Sequence, residues 1–196
     1  MFNIFEVTTI SIKVAEQSTW NQIIELSRLK KDMDLDHWLN ETLFTFNWWF
    51  LLITTIGFFI IWVLILDKKR TIEIITYGLM ISSTVFVLDG IGVSLVLWDY
   101  PDKIFPVVPA IIEIHKIHLP IIYMIIYQYF SGWKSFFIAM TISSFIFSFL
   151  LEPLLSWLGI YEVYHWEYIY SFPIYIFIGV LFKWIVNKLK QLDNHY

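Results

Sequence analysis

Apolar positions along this chain come in long unbroken blocks, not in the alternating or striped patterns of a soluble domain. Phe46 to Leu66, FNWWFLLITTIGFFIIWVLIL, carries no charge for 21 residues. At 1.5 Å per residue such a helix reaches about 30 Å, the thickness of a bilayer's hydrocarbon core. The same length rule marks four further passages, 72–98, 104–130, 136–158 and 170–186, the first of which follows the basic cluster DKKR. The pattern therefore predicts an all-α, polytopic membrane protein with about five transmembrane helices. Its organisation would be an extracytoplasmic segment over 1–45, a transmembrane domain over 46–190 and a cytoplasmic tail over 191–196.

The first 45 residues follow a different rhythm. Ile23, Leu26, Leu29 and Met33 fall on one side of a helical projection, with Glu25, Arg28 and Asp32 away from them. Residues 16–43 thus read as an amphipathic helix lying on the membrane or on the bundle, with Trp20 and Trp38 as anchors. It either covers the bundle or binds a partner. Asp32, Asp34 and Asp36 sit at the alternate positions of a calcium loop, but the glycine and terminal glutamate of that loop are missing, so they read as a solvated turn.

Composition supports a membrane location. The chain has 196 residues, 58% of them apolar and only 15% charged, with a mean hydropathy of +0.67. The N-terminus lacks the basic start and cleavage site of a signal peptide, so the helices are expected to direct insertion themselves. There is no cysteine, which excludes disulfides, thiolate metal sites and cysteine nucleophiles. The charges then choose an orientation. The turns DKKR and SGWKSF and the C-terminal KWIVNKLK collect seven basic residues against three acidic ones, and the opposite side holds six basic and fourteen acidic. Short basic loops resist translocation, so the N-terminus is expected outside and the C-terminus inside. Trp48, Trp49, Trp98, Trp157 and Trp166 would then ring the outer surface, and Tyr127, Tyr129, Trp133 and Trp184 the inner one.

An internal repeat runs through the last four passages. LWDYPDKIFP after the second is answered by HWEYIYSFP after the fourth: Trp98, Asp99 and Tyr100 match Trp166, Glu167 and Tyr168, and Phe105 and Pro106 match Phe172 and Pro173. Gly92 and Gly159 precede their tryptophans by six and seven residues, and Asp89 and Glu152 each put a carboxylate near the end of the preceding helix. Two parallel helical-hairpin repeats related by an axis along the membrane normal are expected. Matching Pro106 to Pro173 also matches Lys116 to Lys183.

That match places Glu113, His115, Lys116 and His118 of AIIEIHKIHLPII within the third passage, where such groups are costly and must face protein or a wet cavity. An alternative is a re-entrant or interfacial segment over 101–116, permitted by prolines 101, 106, 109 and 120. The candidate polar site is Asp89, Asp99, Glu113, His115, Lys116, His118, Glu152, His165 and Glu167, with Asp102 and Glu162 nearby. His115, His118 and His165 are candidate metal ligands, His115 and His118 forming an i, i+3 pair, but E-x-H-x-x-H is no established metal motif and no cofactor is strongly implied. Histidine and paired carboxylates could also relay protons. The structural alternative pairs the carboxylates with Lys103 and Lys116 or uses them as helix caps. No G-x-S-x-G frame or glycine-rich phosphate loop occurs, and the one basic cluster fits the positive-inside rule without nucleic acid.

FTFNWW, LWDYPDKIFP, YQYFSGWKSF and YSFPIYIFIGVLFKW together resemble an uncharacterised family of small multi-pass membrane proteins from spore-forming Gram-positive bacteria. The resemblance covers the chain from Phe44 onward and implies a bacterial cell-membrane location but no activity. In architecture the chain is also similar to the integral-membrane carotenoid cyclases, which use helical hairpins with carboxylates near the membrane face. Their paired glutamates after a proline are missing, since Glu152 precedes Pro153, and no catalytic role carries over. The expectation is a membrane component, more a binder than an enzyme, that takes a partner protein, lipid or a second copy of itself. A proton-coupled transporter or channel subunit, or an enzyme acting on a lipid or isoprenoid, are the alternatives.

Overall fold

The structure is a computed structural model that describes residues 18–106 and 117–193. Glu113, His115 and Lys116 lie outside the described residues, as does the start of the amphipathic segment. The chain divides into two units between Glu41 and Thr42.

In the first unit, helix α1 runs Thr19–His37 and no residue in it is buried. Ile23, Leu26 and Met33 are all exposed. What organises its polar side is local. Lys30 reaches Asp34 at 2.7 Å, Lys31 reaches Asp32 at 2.8 Å, and Asn40 donates to Asp36 Oδ1 at 2.9 Å. Each of the three aspartates is thus engaged by a neighbour in sequence, at a few tenths of a kcal/mol per exposed pair.

The second unit contains α2 (Phe46–Ile65), α3 (Thr71–Ser94), strand β1 (Trp98–Asp99), α4 (Leu119–Tyr129), α5 (Trp133–Ile146), a π-helical turn (Phe147–Leu151), α6 (Glu152–Trp157), β2 (Glu162–Val163) and α7 (Tyr168–Asp193). Residues Trp133–Trp157 form one continuous rod, and it, α2, α3 and α7 are long and apolar enough to cross a membrane. The passage expected over 104–130 is represented among the described residues by α4, whose 11 residues are short of a full crossing.

Contacts fix the alternation of the rods. Near the start of α3, Glu73 meets Tyr127 at the end of α4 and Lys190 near the end of α7. Near the other end of α3, Asp89 lines one cavity with Glu152 and Ser171. One end of this unit is therefore basic and the other carries the two buried carboxylates.

α3 packs on α4 and α7, and α5 on α7. The core between them is unusually rich in phenols: Tyr77, Tyr123 and Tyr127 are buried with Phe136 and Met140. Tyr77 donates to Gly179 O at 3.1 Å and Tyr123 to Tyr175 O at 2.9 Å, so both hydroxyls are satisfied on the backbone of α7. Tyr127, expected in an interfacial ring, instead stacks on Tyr77 with centroids 4.4 Å apart and donates to Glu73. A hydroxyl with a carboxylate partner can be buried, and this one is. Trp133 and Trp184 are exposed.

The two long rods that lead to the carboxylate end, α3 and Trp133–Trp157, end alike. Val96 N–H donates to Val93 O and Leu97 N–H to Gly92 O; Gly159 N–H donates to Ser156 O and Ile160 N–H to Leu155 O. Both are the paired bonds of a helix closed by one left-handed residue. That residue is Gly159 in the second case (φ 75°) and Val96 in the first (φ 54°). Gly159 thus corresponds to Val96, not to Gly92, and the sequence match of the two glycines is corrected. Gly92 has a different reason to lack a side chain: a β-carbon there would run into the Trp98 ring.

A β-branched residue in the left-handed region is strained, by roughly 1–2 kcal/mol, and glycine is not. Val96→Gly is therefore expected to raise the thermal midpoint of the detergent-solubilised protein by the equivalent of about 1 kcal/mol, and Gly159→Val to lower it by a similar amount or more. A fall in midpoint for Val96→Gly would refute the equivalence of the two caps.

Candidate functional site at the carboxylate end

Asp89 is 3% exposed, five residues from the end of α3. Its Oδ1 accepts from Trp98 Nε1 at 2.9 Å and from Tyr100 OH at 2.6 Å. Both donors come from the turn immediately after the helix. The cap at Val96 folds that turn back, and the absence of a side chain at Gly92 lets the indole lie down against α3.

Glu152 is built by another route. The π-helical turn directly precedes it and Pro153 directly follows it. Proline has no N–H to give and its ring crowds the carbonyl four residues back, so an ordinary helical turn fails here and the wider one relieves it. The inserted residue turns Glu152 inward. There its Oε1 accepts from Tyr175 OH at 2.8 Å and its Oε2 from Ser171 Oγ at 3.1 Å, and Ser171 in turn accepts from Trp166 Nε1 at 3.0 Å. Ser171 and Tyr175 are four residues apart on α7 and so share a face.

The two halves meet through their aromatic turns. β1 and β2 pair antiparallel, Trp98 opposite Val163 and Asp99 opposite Glu162. Trp98 and Trp166 meet edge to face at 4.9 Å, and Tyr100 stacks on Tyr161 at 5.4 Å. Burial, and for Tyr100 the adjacent Asp89, pushes the Tyr100 and Tyr161 phenols far above their usual range. Both stay protonated throughout the physiological range, and Tyr100 donates to Asp89.

Asp89 and Glu152 line one cavity of ≈ 230 Å³, together with Trp98, Trp166 and an apolar wall that includes Ile174 and Ile178. Two further lining residues, Leu88 and Ile91, are exposed on the outer surface of α3. The cavity therefore has a polar floor and a mouth flanked by apolar side chains. Its volume is below the roughly 300–1,000 Å³ of sites that enclose a whole drug-sized ligand. It suits a headgroup or a short segment of something longer.

The other expected site residues are placed elsewhere. Asp99 lies on β1, where its Oδ1 accepts from Tyr100 N–H. His165 and Glu167 are exposed, and His165 enters the turn through its backbone N–H, donated to Leu97 O. Tyr164, on the same rim, donates to Glu162 at 2.7 Å, which raises its phenol to about 12. Asp102 accepts from Thr42 and Asn47 and ties the turn to the start of α2. His118 is not among the cavity's lining residues; it sits edge-on to Phe58 of α2 at 4.9 Å. Among the described residues no three His, Asp or Glu side chains converge as a metal centre requires. Tyr100, Tyr161, Ser171 and Tyr175 line the cavity and were not among the expected site residues.

At the basic end the chemistry is internal. Glu73 accepts from Tyr127 and forms ion pairs with Arg70 at 3.1 Å and Lys190 at 2.9 Å. The bond to Glu73 holds the Arg70 guanidinium above its ordinary pKa. Lys183, 2% exposed, donates to Phe130 O and Ser131 O just past the end of α4 and lies 4.0 Å from the Phe136 ring centroid. An ammonium at helix-terminal carbonyls is favourable, and an aromatic face adds to it.

Fold and site together define an all-α, multi-pass membrane protein with a carboxylate-floored cavity at one end. No known family model matches the chain, and no curated protein or solved structure matches it either.

The Asp89 network has a measurable consequence. Asp89→Leu keeps the bulk but leaves Trp98 N–H and Tyr100 O–H without this acceptor, at about 1–3 kcal/mol each. Asp89→Asn keeps one carbonyl oxygen and is expected to lose less than half as much. Thermal unfolding in detergent checks both, and equal midpoints for the two variants would refute the assigned role of Oδ1.

Proposed function

We propose that the protein is a non-enzymatic component of a bacterial cell membrane that binds a lipid-like amphiphile at the carboxylate end. One observation carries this reading: the cavity joins a floor of Asp89, Glu152 and their donors to a mouth flanked by exposed Leu88 and Ile91. A polar group would rest on the floor while its apolar remainder leaves between side chains that already face lipid. The reading includes the five-passage topology with the basic end in the cytoplasm, the two hairpins as parallel repeats, and membership of the spore-former family resembled by the sequence. The matching helix caps, and the two carboxylates seven residues before each left-handed residue, support the repeat.

Replacing Ile174 by Trp would fill the cavity from a half-buried position of its wall. Native mass spectra of protein released from its own membrane are expected to carry a lipid-like adduct that Ile174→Trp reduces at least tenfold, with helix content unchanged. The same adduct on both proteins would overturn the reading. A pH-dependent flux in vesicles that Glu152→Gln abolishes would replace it with proton-coupled transport.

Orientation has its own test, made clean by the absence of cysteine. A cysteine introduced at Glu162 is expected to react with an impermeant maleimide in intact cells. One at Lys69 is expected to react only after permeabilisation, and the reverse result would invert the topology.

A further inference from the structure

Five aromatic residues line the cavity at the carboxylate end: Trp98, Tyr100, Tyr161, Trp166 and Tyr175. The polar atoms of four of them are directed at the two carboxylates. Asp89 takes the Trp98 N–H and the Tyr100 O–H, Glu152 takes the Tyr175 O–H, and Trp166 reaches Glu152 through Ser171. Tyr161 stacks on Tyr100. The surface left to an occupant is mainly ring and hydrocarbon, with the carboxylates engaged by the rings that line the space.

The charge behind that surface decides what it suits. An aromatic ring is negative on its face and positive at its edge. An N–H or O–H donated to a carboxylate pushes electron density back into the ring, in the way that successive hydrogen bonds polarise one another. Asp89 and Glu152 polarise four of the five rings in this sense, two each. A cation seated among them is attracted by the rings and, at longer range, by the carboxylates themselves. The kind of cation then follows from hydrogen bonding. A primary ammonium brings three N–H donors that must find acceptors, and the ring donors already occupy the carboxylates. A quaternary ammonium brings none, so leaving water costs it less.

We infer that the cavity recognises a quaternary ammonium, carried as the headgroup of the amphiphile assigned to it above. The inference rests on that reading of the site and adds the chemistry of the headgroup. The cation lies among the rings, and its chain leaves past Leu88 and Ile91.

Protein in a neutral detergent would be titrated with dodecyltrimethylammonium, dodecylammonium and dodecan-1-ol, which share a chain and differ in the group at its end, and the bound species counted by native mass spectrometry. The quaternary cation is expected to be retained at least tenfold more tightly than the alcohol, as several desolvated ring contacts would give, and more tightly than dodecylammonium. Trp166→Leu should lower that ratio about fivefold, whereas Trp166→Phe keeps an aromatic face and should preserve most of it. Because the readout is a ratio between ligands on one protein, a general loss of stability would not reproduce it. Equal retention of the quaternary cation and the alcohol, or tighter retention of dodecylammonium, would overturn the inference while leaving an amphiphile in the cavity. Retention of all three unchanged by Ile174→Trp would instead overturn the reading of the cavity on which it rests. Choline has the cation without the chain and is expected to compete only at roughly hundredfold higher concentration. Competition at equal concentration would overturn the headgroup assignment in favour of a free solute.

Discussion

Inside a hydrocarbon layer there is no water to satisfy a polar group, and most of this bundle follows from that constraint. α7 serves as the common acceptor and donor. Its carbonyls at Tyr175 and Gly179 take the hydroxyls of Tyr123 and Tyr77, and its Ser171 and Tyr175 side chains reach Glu152. The bonds from α3 and α4 converge on one helix, which fixes how those helices sit around a core that also buries Ile74, Ile81, Leu119 and Ile178. Gly179 makes this possible, since a β-carbon there would run into Met140 and crowd Tyr123. Each phenol contributes about 1 kcal/mol net as a hydrogen bond, but leaving it unpaired at that depth would cost more, so register matters more than burial.

The two ends of the bundle use the same groups to different effect. At the basic end Glu73 is consumed by Arg70, Lys190 and Tyr127, and Lys183 is held by two carbonyls and an aromatic ring. Ion and counter-ion come from the chain itself, and the result is a clamp joining α3, α4 and α7. At the other end the described donors to Asp89 and Glu152 are neutral indoles and hydroxyls, and both carboxylates border a cavity. A clamp needs no space beside it. That difference, more than the presence of acidic residues, is why the functional reading is attached to the carboxylate end.

The helical rods were legible because their signal is length and apolarity, which no tertiary contact can override in a membrane. Asp89 and Glu152 were legible as carboxylates near helix ends with tryptophans to follow. What was hidden depended on geometry over many residues. Tyr175 lies 23 positions after Glu152, and its only local trace is the i, i+4 spacing from Ser171 in an otherwise apolar helix. Gly92 and Gly159 looked equivalent because both are glycines before a tryptophan, yet one makes room for a ring and the other closes a helix. Tyr127 looked interfacial because tyrosines near helix ends usually are, and only the partner Glu73, 54 residues away, explains its burial.

Glu152 and Asp89 reach the same cavity by unlike means, and the difference bears on how the site tolerates change. Asp89 comes from a regular helix, and its donors come from the turn that the Val96 cap folds back. Glu152 depends on a π-helical turn that Pro153 forces, and its donors come from α7. The hydroxyls of buried Ser144, just before that irregular turn, and buried Ser148, within it, meet no acceptor among the described residues. Wider turns persist where surrounding structure over-determines them, and they are frequent at functional sites. Asp89 is therefore set by a local fold and Glu152 by packing between rods, so a shift of α7 against α5 would move the Ser171 and Tyr175 donors to Glu152 while leaving the Asp89 half of the cavity intact.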